Sequence, residues 1–137
     1  MKNVAATALA ALALAACAHG SPTESHENAA VSFTIVQPSH NERFVVRTSD
    51  PATIARARAE LARPLEERTL HLHGRLLRGD GGYNQGWSWR VEEWSLVEMS
   101  MELCDGWPSD VEEKLDYWLN SVGSFCPWAS RIEAELN

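Results

Sequence analysis

No cluster of basic residues longer than a pair occurs in this chain, and its 12 Lys+Arg are outnumbered by 19 Asp+Glu, for a formal net charge of −7. That balance argues against a nucleic-acid partner, because phosphate backbones are held by clustered positive charge. No serine lies in a Gly-x-Ser-x-Gly elbow, and no glycine-rich phosphate cradle is present, so the two commonest short signatures of hydrolases and nucleotide enzymes are missing. There is no internal repeat, and the length suits one domain. Cysteine is scarce, with three residues, and the one long apolar run, Val4 to Ala16, is too short to cross a bilayer as a helix.

That run is the most informative stretch. Lys2 precedes it, only Thr7 interrupts it, and Leu14-Ala15-Ala16-Cys17 closes it, the pattern of a lipoprotein signal in which Cys17 becomes the first residue and carries acyl chains. More than one such chain makes anchoring durable, at about 0.8 kcal/mol for each buried methylene. A signal peptide cleaved near Ala16, leaving Cys17 as a plain thiol, is the competing reading. Ala18 lacks the acidic character that favours inner-membrane retention in enteric lipoproteins, which points to the outer membrane. Removal of residues 1–16 takes away the charge of Lys2, so −7 becomes −8.

With Cys17 assigned to lipid, Cys104 and Cys126 remain as an even pair in an oxidising compartment. Their disulfide would close a loop of about 23 residues and contribute on the order of 3 kcal/mol; two separate buried thiols are the alternative. The sequence divides into a lipoprotein signal over 1–16, a small and polar tether over 17–30, and a single α+β domain over 31–137.

Within the domain, Phe33, Ile35, Phe44, Val45 and Val46 flank the turn-like Gln37-Pro38-Ser39-His40-Asn41 and predict a hairpin or broken strand. Ser49 or Asp50 before Pro51 predicts a helix start, and Pro64 a stop near Ala62 or Arg63. Leu70, Leu72 and Leu76 alternate with His71, His73 and Arg75 in a half-buried strand that Gly79-Asp80-Gly81-Gly82 breaks. Trp87, Trp89 and Val91 define the next strand, Glu92 to Ser95 reads as a turn, and Val97, Met99, Met101 and Leu103 alternate in a third. A second helix is predicted from Pro108 or Ser109, with Ser109 and Glu112 as a capping box and Val111, Leu115, Trp118 and Leu119 on one stripe. The tail from Ala129 to Leu136 reads as a short helix. The expected fold is therefore α+β: an antiparallel sheet of about four to five strands packed against two helices, with one disulfide.

The ordered combination Tyr83-Asn84, Trp87-Ser88-Trp89, Glu102-Leu103-Cys104-Asp105 and Cys126-Pro127-Trp128 resembles a family of small exported bacterial proteins, some of which carry a calmodulin label. The resemblance covers roughly Phe44 to Arg131 and implies a fold and a disulfide, with no activity attached. The family pattern has His after its Trp-Ser-Trp or Trp-Ser-Phe strand, whereas Arg90 stands there in this chain. An EF-hand calcium loop is not what the label can mean. Counted from Asp80, ligand positions 3 and 5 hold Gly82 and Asn84, position 6 holds Gln85 in place of Gly, and position 12 holds Val91 in place of Glu.

Other metal readings use Asp80, Glu102 and Asp105 with backbone carbonyls for calcium, or His71 and His73, which share a strand face, for zinc. Two histidines beside Arg75 do not make a site, and acidic residues near turns are commonly solvated, so no cofactor is expected, with calcium the one candidate. Glu102 and Asp105 are also the pair a small hydrolase would use for acid/base work. Six tryptophans remain. Trp87, Trp89 and Trp118 read as core, with Trp128 near the disulfide, whereas Trp94 and Trp107 fall in predicted turns where an indole is exposed. With Tyr83 and Asn84 they form the candidate binding surface. The functional expectation is a lipid-anchored binding or interaction domain of the cell envelope, held to the membrane at Cys17 and recognising an envelope protein or small ligand. The alternatives are a calcium- or zinc-binding exported domain, a small hydrolase, and an envelope protease inhibitor presenting the Gly79–Gly86 loop.

Overall fold

The structure, a computed structural model, describes residues 29–137. The signal over 1–16, Cys17 and the tether up to residue 28 lie outside the described residues. Among those described, no helix is long and apolar enough to cross a membrane.

Six strands form two antiparallel three-stranded sheets. β1 (Val31–Gln37) and β2 (Glu42–Thr48) make the expected hairpin, in which Asn41 takes the left-handed conformation at φ 52 that asparagine tolerates better than most residues. β6 (Arg131–Leu136) lies on the other side of β1, giving the order β2-β1-β6. The second sheet is β4-β3-β5, from β3 (His71–Arg78), β4 (Trp89–Val97) and the two-residue β5 (Ser124–Phe125). Helix α1 (Pro51–Leu61) packs against β4 and β6, and it starts as expected: Asp50 accepts from the Thr53 amide at 2.7 Å with Pro51 in the first turn.

Four expectations are corrected. Two sheets replace one, because the apolar faces of β1–β2 and β3–β4 bury each other through Phe33, Ile35, Phe44, Trp89, Val91 and Phe125. The tail is strand β6, not a helix; pairing with β1 and ion pairs of Glu133 with Arg43 and Glu135 with Arg58 hold it extended. Residues 98–101 are not a strand but an exposed loop that runs into a single 3-10 turn at Glu102–Cys104. Finally, the second helix is interrupted. α2 (Pro108–Glu113) is capped by Asp110 accepting from the Trp107 amide, while Glu112 reaches Ser88 and takes no part in a box with Ser109. The chain turns at Lys114 and continues as α3 (Leu115–Tyr117) and a π turn that ends at Gly123.

The fourth strand also runs through the predicted turn at Glu92–Ser95. One extra residue is accommodated there as a bulge: between His73 and Arg75 on β3 the partner strand advances from Ser95 to Glu92, and Glu93 has φ 49. The inserted residue flips the side-chain parity of β4, so that Trp89 and Val91 point inward before it and Trp94 and Leu96 after it. Gly74, on β3 opposite the bulge, makes this packing fit. A Cβ there would lie 2.4 Å from Val91 Cγ1 and 2.6 Å from Trp94 Cβ. Gly74→Ala is therefore expected to overpack the core and destabilise the domain by about 3 kcal/mol, the upper end for an inserted methyl; a denaturant midpoint equal to wild type would contradict the packing.

Candidate functional site

Strands β2 and β4 are each the edge of a sheet, and they run beside one another. The backbone groups such edges leave unpaired are taken here by side chains. Trp87 Nε1 donates to the Arg43 carbonyl at 2.9 Å, Trp94 Nε1 donates to the Arg47 carbonyl at 2.9 Å, and Asn84 Oδ1 accepts from the Val45 amide at 2.8 Å. The other half of the Asn84 amide, Nδ2, donates to the Trp89 carbonyl on β4 at 2.8 Å, and Tyr83 Oη to that of Val91 at 3.4 Å. An acceptor facing one strand and a donor facing the other fix the orientation of the Asn84 side chain.

Three of the four residues expected to form a binding surface are thus part of this seam. Asn84 is 1% exposed and Trp94 is buried, so neither is available to a partner. The sequence places Trp94 in a turn; the bulge instead turns it inward against Phe33, ring centroids 5.8 Å apart. Tyr83 is half-buried under the Arg47 guanidinium, 4.8 Å above its ring, and burial raises its phenol pKa. Trp107 alone is exposed as expected, and it stacks on the exposed His40.

A second group of residues gathers on the far side of β3. Cys104 and Cys126 form the disulfide, with Cα atoms 5.1 Å apart, and the Cys126 amide donates to the Cys104 carbonyl at 2.8 Å. The staple holds the loop that follows β4 against the segment that follows β5. Asp105 accepts from the amides of Gly106 and Trp128, at 2.9 and 2.8 Å. The apolar side chains of this loop have nothing to pack on: Met99 is 86% exposed, Met101 66% and Leu103 58%. Trp128, expected in the core beside the disulfide, is exposed as well and flanks them.

Beneath the loop, His71 is 4% exposed, and its Nε2 lies 2.6 Å from Ser100 Oγ, which also accepts from Trp128 Nε1 at 2.9 Å. Thr69, His71, Glu98, Met99, Ser100 and Trp128 line a cavity of about 250 Å³. Burial lowers the imidazole pKa of His71, and the charge of Arg131 lowers it further. The sequence hides this cluster, since 29 residues separate His71 from Ser100 and neither sits in a recognised motif.

The candidate metal ligands do not converge. Asp80 accepts from the Gly82 amide in the β3–β4 loop, whereas Glu102 and Asp105 lie at the disulfide. His71 is engaged with Ser100, and His73 lines a shallow surface hollow with Arg75 and Glu93. Among the described residues, no group of three or more His, Cys, Asp or Glu is placed to hold an ion.

The family model of the BP-74 N-terminal domain matches residues 27–137, and the chain belongs to that family. Neither the curated proteins nor the solved structures yield a match.

A neutral, buried His71 has a consequence for stability. Its native pKa lies below the ordinary imidazole value of about 6.5, so under that pH the unfolded chain takes up a proton that the native state resists. Stability is expected to fall as pH drops through about 6. His71→Gln should flatten that limb of a denaturant-midpoint profile between about pH 7.5 and 5, while a slope identical to wild type would contradict the buried neutral imidazole.

Proposed function

We propose that this member of the family is a lipid-anchored binding domain of the cell envelope, tethered through Cys17, whose recognition surface is the disulfide-stapled loop. The observation that carries it is the exposure of Met99, Met101 and Leu103 beside Trp128 on a segment held in place from both ends. Methionine, tryptophan and leucine gain most from leaving water, and a contiguous apolar surface on a small domain marks an interaction site. The loop is already ordered by the disulfide, by Asp105 and by the Trp128–Ser100 bond, which lowers the entropic cost of association. Methionine adds adaptable packing at such surfaces.

Charge selects the partner. The exposed Glu98 and Glu102 alternate with the apolar side chains, on a domain that is acidic as a whole. The surface therefore suits an apolar protein segment flanked by Lys or Arg, and it resists insertion into an anionic lipid layer. A second exposed face, around Trp107 and His40, is smaller and lacks this alternation.

The test is quantitative capture from solubilised envelope with the lipidated protein and a Met99→Ser/Met101→Ser/Leu103→Ser variant. Because the three side chains are exposed, the fold should be kept to within about 0.5 kcal/mol. Capture of the enriched partners is expected to fall at least tenfold, about 1.4 kcal/mol, and Glu98→Lys/Glu102→Lys should weaken it in the same direction. Undiminished capture by the triple variant would overturn the assignment of the surface. Fatty-acid labelling lost in Cys17→Ser would support the anchor, and labelling that persists would refute it.

A further inference from the structure

The cavity beneath the loop is built differently from a recognition surface. Its floor is a hydroxyl, an imidazole and an indole N–H in one chain: Trp128 Nε1 to Ser100 Oγ at 2.9 Å, and Ser100 Oγ to His71 Nε2 at 2.6 Å. Indole is a donor only, so toward Trp128 the serine oxygen accepts, and its own proton is left for His71 Nε2. That places the proton of the neutral imidazole on Nδ1. A serine hydroxyl donating to a neutral imidazole, both opening on a cavity, is the arrangement of an activated nucleophile and its general base.

We propose that Ser100 and His71 form a nucleophile–base pair that accepts the acyl group of a small carboxylic ester, independently of the partner surface above it. Ser100 Oγ attacks the acyl carbon and passes its proton to His71 Nε2, while the carbonyl electron pair moves onto the oxygen. When the carbonyl re-forms, the bond to the leaving alkoxide breaks, and that oxygen takes the proton from His71. Water then repeats the sequence on the acyl-serine and releases the acid. Trp128 Nε1, within hydrogen-bond reach of the attacking oxygen, is placed to donate to the developing oxyanion.

The cavity also limits the substrate. At about 250 Å³, with Met99 and Trp128 as apolar walls, it admits a short acyl chain, and Glu98 at its lining disfavours an anionic leaving group. His71 must be neutral to act, and its burial and the Arg131 charge favour that form at neutral pH. The charged groups around it are Arg131, His73 and Asp105, with Glu98 across the cavity.

The experiment is reaction of the folded, disulfide-bonded full chain with a fluorophosphonate probe, followed by peptide mapping, alongside hydrolysis of p-nitrophenyl butyrate. Label is expected on Ser100 of the wild type and none in Ser100→Ala. In His71→Gln, which keeps a hydrogen bond to Ser100 but no base, labelling should slow at least tenfold. The wild-type rate should fall with pH as His71 is protonated. Absence of label on Ser100 in folded wild-type protein would overturn the proposal, whether or not Ser100→Ala folds. An equal labelling rate in folded His71→Gln, or a pH-independent rate, would reduce His71–Ser100 to a structural hydrogen bond and overturn it as well.

Discussion

Asn84 divides one side-chain amide between two sheets, accepting from the Val45 amide on β2 and donating to the Trp89 carbonyl on β4. Much of the domain's architecture depends on that bridge. Two edge strands run side by side without pairing to each other, and every unpaired backbone group along such a seam would cost about 1–3 kcal/mol if buried without a partner. Asn84, Trp87, Trp94 and Tyr83 supply the missing partners, so the seam is closed by side chains where a continuous sheet would use backbone ladders. With the two edges set, the apolar faces meet in one orientation, and Phe44, Trp89 and Phe125 come within 5.4–5.6 Å of one another.

The seam also decides where function can lie. Three of the six tryptophans serve it or lie immediately behind it, as two hydrogen-bond donors and a core ring. Trp118 packs edge-on to Phe125. What remains exposed is Trp107 and Trp128, and only Trp128 stands among other exposed apolar side chains. β4 leaves the sheet at Val97 and has no further strand to pair with, so the alternating Met99, Met101 and Leu103 project into solvent and the disulfide fixes them there. The same staple sets Trp128 over Ser100 and closes the cavity on His71. One end of the second sheet is thus bound up in closure, and the other carries the residues available to a partner or a substrate.

Local rules make much of this legible in the sequence. The β1–β2 hairpin, the Asp50-Pro51 helix start, the alternation of β3, the glycine-rich break after it and the Cys104–Cys126 pair all follow from neighbours a few residues apart or from compartment. What escapes depends on distant partners. β6 looks like a short helix in isolation and is a strand because β1, roughly a hundred residues earlier, pairs with it. The bulge at Glu93 carries no turn dipeptide, yet it shifts every inward position that follows, which is why Trp94 reads as exposed and is buried. Met99 to Leu103 do alternate like a strand, but alternation alone does not supply a sheet. Asn84 is legible as a turn residue, since its amide does bond to the Asp80 carbonyl at 3.0 Å, whereas the inward direction of its side chain is not. Ser100 and His71 meet only because the disulfide loop folds back over β3.

The closure of the seam by Asn84 is tested most directly by hydrogen exchange at the Val45 amide. On an open edge strand this N–H would face water and exchange within the range of an unprotected backbone group. With its bond to Asn84 Oδ1 inside a closed seam, exchange should instead require the two sheets to separate, and the Val45 amide should be protected to nearly the same free energy as core amides of β1 and β3. Exchange at Val45 as fast as at the loop amides of Met99 and Met101, in a protein whose core amides remain protected, would contradict the account.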